Sequence, residues 1–215
     1  MNVLRRTNEY VKSVLTNESS GHGWWHTSRV RNIALLICEK ENADKLVVEL
    51  ASLLHDISDW KFNDGDHKSS SEIAAKFLRK LEIEEDVISH ICDIIDNVTF
   101  RGSGVETAAM NTTEGKIVQD ADRLDAMGAT GIARAFAYGG HAGREIYNPD
   151  IKPEMHSTFE EYKKNKSPSL NHFYEKLLLL KDRMNTETGK EIAEERHKFM
   201  EEYIKRFLSE WEGKK

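Results

Sequence analysis

His55 and Asp56 stand side by side at the end of an apolar run, Leu50-Ala-Ser-Leu-Leu-His-Asp-Ile-Ser-Asp-Trp60. A neutral imidazole and a carboxylate are both good ligands for a divalent metal. Both are costly to bury without a partner. Alone, the pair reads equally well as a helix-end cap or salt bridge and as two metal ligands. Two other stretches bear on it. His26 falls with Val30, Ile33 and Ile37 at i, i+4, i+7 and i+11, so it points where the core residues of its helix point. It also lies in the first turn, where the positive end of the helix dipole favours the neutral imidazole a metal requires. In Gln119-Asp-Ala-Asp-Arg-Leu-Asp125, Asp125 falls inside a stripe of Ile117, Val118, Ala121 and Leu124, and Asp122 lies about 40° beyond Val118 at its edge. Arg123 and Gln119 fall on the opposite side. Unpaired buried aspartate is rare. Singly, His26 reads as a hydrogen-bonded core histidine and Asp122 as the salt-bridge partner of an arginine. Jointly, His26, His55, Asp56 and Asp122 offer two nitrogens and two oxygens. That set suits Mn2+, Fe2+, Zn2+ or Mg2+ and leaves positions open for water and substrate.

The elements that must position these groups are helical. Periodicity predicts helices over 2–16, 24–38, 42–60, 69–81, 84–97 and 112–127, with a small-residue helix from Gly128 to the Gly139-Gly140 pair. Two more close the chain, 170–184 and 186–212, with a cap over Asn185–Thr188. An unbroken helix would hold the side chains of His55 and Asp56 about 100° apart. The helix is therefore expected to end or loosen at this pair. Residues 144–168 carry all three prolines and read as a long loop, a lid or an insertion.

Composition sets the outer bounds. A chain of 215 residues, 39% hydrophobic and 32% charged with only three prolines, is expected to be a soluble, helix-rich globular protein with one well-buried core. No apolar run approaches the roughly 20 residues of a membrane span, and the N-terminus lacks an apolar signal core. The expected location is cytoplasmic, with no membrane partner. Cys38 and Cys92 lie in helical apolar patterns and read as core residues, not a disulfide. A net charge of -6 argues against a broad nucleic-acid surface but leaves room for a small anionic substrate in a locally positive pocket. Oligomeric state stays open.

His26, then His55-Asp56, then Asp122 in Gln-Asp-Ala-Asp-Arg-Leu-Asp resemble the H…HD…D signature of HD-domain metal-dependent phosphohydrolases. The resemblance runs through roughly residues 2–210. Gly115-Lys-Ile-Val-Gln-Asp-Ala-Asp-Arg-Leu-Asp-Ala-Met-Gly-Ala129 and Asn171-His-Phe-Tyr-Glu-Lys-Leu177 resemble a subgroup of small bacterial HD proteins. Some members of that subgroup hydrolyse nucleoside triphosphates to the monophosphate and pyrophosphate. The resemblance implies an all-α, HD-domain-like helical bundle with a buried central metal site, a single domain over 1–215. It implies one divalent ion held by His26, His55, Asp56 and Asp122, Mn2+ first, with Mg2+, Fe2+, Zn2+, Co2+ and Ni2+ as alternatives. Such an ion lowers the pKa of its water from 15.7 toward about 7 and neutralises phosphoryl charge. HD proteins with two metals are expected to carry extra histidines between the HD pair and the last aspartate. Here that interval holds only His67 and His90, so a second metal and oxygenase chemistry are not expected.

The remaining candidates surround this centre. Asp59 is the candidate to orient or deprotonate the water, with a simple helix-end polar residue as the alternative. Lys61 could contact phosphate, or be a solvated loop lysine. His90 could face the site from its helix. Arg134 could pair with Asp122, Asp125 or a phosphate. His172 and Lys176 lie one turn apart and could serve one phosphate, against a solvated face. Lys116, Lys181 and Arg183 could add positive potential. Trp24, Trp25 and Trp60 flank the centre and could stack a base, although core packing is the preferred reading. The expected function is a metal-dependent phosphohydrolase acting on a nucleotide, with nucleoside triphosphate pyrophosphohydrolysis the first choice. The alternatives are a phosphomonoesterase on nucleoside monophosphates, a metal-dependent nucleotide-binding regulatory module without turnover, and a purely structural helical protein.

Overall fold

The computed structural model describes residues 3–16, 23–57, 69–98, 110–154 and 167–214, and no strand occurs among them. The helices are α1 Val3–Leu15, α2 Trp24–Cys38, α3 Lys45–Leu54, α4 Ser70–Arg79, α5 Glu85–Val98, α6 Thr113–Asp125, α7 Gly128–His141, α8 Asn171–Glu175 and α9 Glu187–Trp211, with a 3-10 helix, Leu177–Arg183, between the last two. The protein is all-α, as the resemblance implies. It divides into two compact units, Met1–Thr99 with Thr107–Asp122, and Phe100–Glu106 with Arg123–Lys215.

In the first unit α3 is central. It packs on α1, α2 and α5, and α4 pairs with α5. Every residue from Val47 to Leu54 is buried, Glu49 and Ser52 included. A helix covered on all sides shows no clean polar face. Asp44 caps it, its side chain accepting from Leu46 N at 2.8 Å and Val47 N at 3.3 Å, so α3 begins three residues later than Asn42. It ends at Leu54. His55 is its C-cap, still αR at φ -59° and ψ -37°, and Ile57 N then turns back to the Leu54 carbonyl at 3.3 Å. The expected break at His55-Asp56 is present.

α6 differs from expectation on its far side. Gln119 and Arg123, predicted to lie away from the core stripe, are 2% and 6% exposed. Their polar ends are met inside: Gln119 Nε2 donates to the Asn97 carbonyl at 3.1 Å, and Arg123 donates to the Arg183 carbonyl. Amphipathic reasoning assumes one solvent face, and α6 has almost none. The helix stops at Asp125. Gly128 then takes φ +67°, the left-handed region that favours glycine. At Gly131 a Cβ would lie 2.2 Å from the Ala126 carbonyl oxygen, so only glycine fits.

In the second unit α9 packs on α7 and on the 3-10 helix. Phe136, Phe173, Tyr203 and Phe207 form its aromatic core, with ring centroids 5.8–6.1 Å apart. The single helix predicted over 170–184 is broken. α8 ends where Lys176 takes φ -143° and ψ -56°, and the chain tightens into the 3-10 helix. There i and i+3 share a face, so Leu177 and Leu180 are both buried. The arms of the proline-bearing loop are tied down. Ser169 N and Leu170 N donate to the Glu145 and Ile146 carbonyls at 2.8 and 3.0 Å. Glu175 Oε1 accepts from Glu154 N at 3.3 Å and from Ser167 Oγ at 2.9 Å. Cys38 and Cys92 are free, as expected, and no helix among the described residues is long and apolar enough to cross a membrane.

Candidate metal centre

His26 enters from the first turn of α2, His55 and Asp56 from the frayed end of α3, and Asp122 from α6. All four belong to the first unit. His26 Nε2 lies 3.3 Å from His55 Nε2, 3.4 Å from Asp56 Oδ2 and 3.5 Å from Asp122 Oδ1. His55 Nε2 lies 3.6 Å from Asp56 Oδ2 and 3.9 Å from Asp122 Oδ1. The two residues that stand adjacent in sequence both reach the cluster just past the last residue of α3, Leu54.

The protonation of His55 follows from its other nitrogen. Its Nδ1 is 2.8 Å from the Ser52 carbonyl, which can only accept, so Nδ1 carries the hydrogen and Nε2 presents a lone pair to the cluster. The carboxylates of Asp56 and Asp122 face this nitrogen, so the cluster is rich in lone pairs. A cation resolves that excess of lone pairs. The donor chemistry therefore fits a divalent metal: imidazole and carboxylate ligands with spacing close to that of atoms sharing one ion at about 2.0–2.2 Å. His26, His55 and Asp56 alone already bring ligand atoms within 4.8 Å of one another. The imidazoles are 1% and 2% exposed, whereas the side chains of Asp56 and Asp122 each keep 24%. The carboxylate side of the cluster is therefore the one open to solvent.

The other candidates are distributed as follows. Asp59, Lys61 and Trp60 lie outside the described residues. His90 Nε2 meets Thr112 Oγ1 at 3.1 Å, and Glu114 Oε2 at 3.8 Å. Thr112 also accepts from Gly115 N, so His90 sits on the cap of α6. Arg134 Nη1 donates to Asp125 Oδ2 at 2.8 Å, the second of the pairings its sequence position allowed. Lys181 pairs with Glu194 at 3.4 Å, and Arg183 gives its carbonyl to Arg123. Trp25 is 72% exposed, which corrects the core-packing reading for that residue: it lies on the outer side of α2 with Asn32 and Leu36. Two contributors went unrecognised in the sequence. Ser52 orients His55 through a main-chain carbonyl, which carries no residue signature. Arg144, from the loop after α7, joins the charge around His172.

His172 and Lys176 are one turn apart, as predicted, but His172 does not supply positive charge. Burial pushes its imidazole down to about 3, and Lys176 and Arg144 push the same way. At neutral pH the ring is a hydrogen-bonding group, and any attraction for an anion there comes from Lys176 and Arg144. The same shift has a consequence for stability. In the unfolded chain the ring takes up a proton below about pH 6.5. Below that pH the unfolded state binds more protons, so stability falls as pH drops from 6.5 toward about 3 and is fully present above 6.5. A His172→Asn variant is expected to show a flatter Tm against pH over that window; parallel profiles for the two proteins would refute the assignment.

Comparison with known proteins supplies the context. A model of the HD domain family matches residues 24–127, which span all four cluster residues. The Bacillus subtilis protein YpgQ is 40% identical over 204 residues, covering 95% of this chain and 91% of YpgQ. Among solved structures, a Lactobacillus plantarum protein superposes with a TM-score of 0.85 at 36% identity, covering 98% of this chain and 97% of that one. An HD-superfamily hydrolase from Bacillus thuringiensis gives 0.76 at 41% identity, with 97% and 96% covered. The complex of YpgQ with ADP gives 0.75 at 40% identity, with 96% of each chain covered.

Proposed function

Since the chain belongs to the HD family of metal-dependent phosphohydrolases, we propose that it hydrolyses nucleotides, and that its preferred reaction converts a nucleoside triphosphate to the monophosphate and pyrophosphate. The observation that carries this is the convergence of His26, His55, Asp56 and Asp122 on one partly open point. The ADP bound by YpgQ supports a nucleotide as the class of substrate. The four residues would hold one divalent ion, Mn2+ first. When bound, it supplies an acidified water and a positive charge for phosphoryl oxygens.

The chain's own residues have distinct tasks. The Ser52 carbonyl keeps the His55 ring turned so that Nε2 faces inward. Asp59, three residues past Asp56, orients the attacking water and takes its proton. Lys61 contacts a phosphate. Water oxygen bonds to one phosphorus of the bridge between the first and second phosphoryl groups, and the bridge oxygen leaves with the other. The whole chain is read as one HD-type domain with 144–168 as an insertion.

A panel of nucleoside mono-, di- and triphosphates, each with Mn2+, Mg2+, Co2+ and Ni2+ and with products separated, tests this. Triphosphates are expected to yield monophosphate and pyrophosphate in equal amounts, fastest with Mn2+. Release of phosphate from monophosphates alone would reject the pyrophosphohydrolase reading.

A further inference from the structure

Behind the cluster, between α2 and α3, lies a row of polar groups that the proposed reaction does not use. Arg31 on α2 donates through Nε at 2.8 Å, and also through Nη2, to a single oxygen of Glu49, whose side chain is 6% exposed. Thr27 and Ser52 are both 0% exposed, and neither the Thr27 Oγ1 nor the Ser52 Oγ has a hydrogen-bond partner. The positions of these four are related. His26 meets His55 and Asp56 at one end, and Arg31 meets Glu49 at the other, so numbers rise along α2 as they fall along α3. Thr27 is one turn before Arg31 on the same face, and Ser52 is one turn after Glu49 and one turn before Asp56. With a rise of about 1.5 Å per residue, the two ends of the row are only about 7.5 Å apart along α2. The unpartnered hydroxyls fall within that span.

Two buried hydroxyls without partners are costly, at about 1–3 kcal/mol each, and need an explanation. A buried water with several polar neighbours is the usual one. A buried carboxylate paired with a partly exposed guanidinium between two helices also needs one, since apolar residues of similar volume often do as well for stability. Both are explained by what the row adjoins. The helix carrying His26 and the helix carrying His55 and Asp56 meet along it. Ser52 belongs to the row by its hydroxyl and holds His55 by its carbonyl.

We propose that Arg31, Glu49, Thr27 and Ser52 form a polar seam, completed by a buried water between the two hydroxyls, which positions α2 against α3 and thereby sets the affinity of the His26–His55–Asp56–Asp122 cluster for its metal. The four act as positioning residues. The inference rests on the reading of the cluster as a metal site.

Mn2+ affinity of the full-length protein, measured by titration calorimetry beside the Tm of the metal-free protein, separates this from a structural brace. The double variant Arg31→Met with Glu49→Met removes the buried carboxylate together with its cation. It is expected to keep its metal-free Tm and to lose about 10-fold or more in Mn2+ affinity, in the range found for groups standing behind metal ligands. Thr27→Val and Ser52→Ala are each expected to weaken Mn2+ by about 10-fold, with the pair together no worse than either, because both remove the same water. Wild-type affinity in the Met double variant, or in both hydroxyl variants with a raised Tm, overturns the seam while leaving the metal site standing. A wild-type protein that binds no divalent ion overturns both.

Discussion

His55→Ala and Asp56→Ala are each expected to strip the protein of stoichiometric metal and to lower hydrolysis by more than about 100-fold. Replacing groups that merely stand behind metal ligands already costs about 10–100-fold in affinity or activity, and these two stand in front. His55 is the sharper test. Its side chain is nearly inaccessible, and its Nε2 lies within 3.9 Å of the other three donor atoms. Alanine there removes a ligand without adding charge. Elemental analysis after metal removal and repletion gives the occupancy, and product separation gives the rate. Turnover close to wild type in either variant would remove the cluster from the reaction. Asp56→Asn serves as a companion, since it keeps the shape and removes the charge.

The largest effect on stability is expected at Asp125→Ala. Asp125 is 1% exposed and accepts from Arg134 at 2.8 Å. Arg196 also bonds to the neighbouring Leu124 carbonyl; burial pushes its guanidinium below its ordinary value, and Asp125 pulls it back. Removing the carboxylate takes away the negative charge beside two half-buried cations, which costs about 3–5 kcal/mol where such a pair is fully buried. The lower end applies because the Arg134 side chain keeps 20% exposure. For a chain of this size that is a fall in Tm of roughly 10 °C. Calorimetry measures it. The double variant Asp125→Leu with Arg134→Met is expected to fall less than Asp125→Ala, since it leaves one fewer charge stranded. A drop below about 1 kcal/mol for the single change would mean that solvent screens the pair.

Much of this was legible in the sequence, and the lapses have physical causes. The cluster was visible because polar residues on apolar stripes are anomalies. A break at His55-Asp56, inside the helix expected over 42–60, was visible because an unbroken helix would hold the two side chains about 100° apart; α3 ends at Leu54. What local periodicity could not show was burial from a second direction. Gln119 and Arg123 look like a solvent face, and they are covered because α6 is enclosed. The pairing of Glu49 with Arg31 likewise depends on how α2 meets α3, which no local pattern shows. In Leu177–Leu180, four leucines fit an α-helix and a 3-10 helix equally, so the break at Lys176 left no trace. Trp25 was assigned to the core on hydrophobicity alone, and the outer side of α2 claimed it.

The donors come from distant parts of the chain: His26 and His55 are 29 residues apart, and Asp122 lies on a helix much further along. An unfolded chain offers nothing comparable, so on the proposed reading a bound ion favours only the folded state. At a free ion concentration 100 times its dissociation constant, the gain is about 2.7 kcal/mol. The cluster thus couples the persistence of the fold to the ionic supply around it. A cell short of the ion would lose part of the protein itself as well as its turnover.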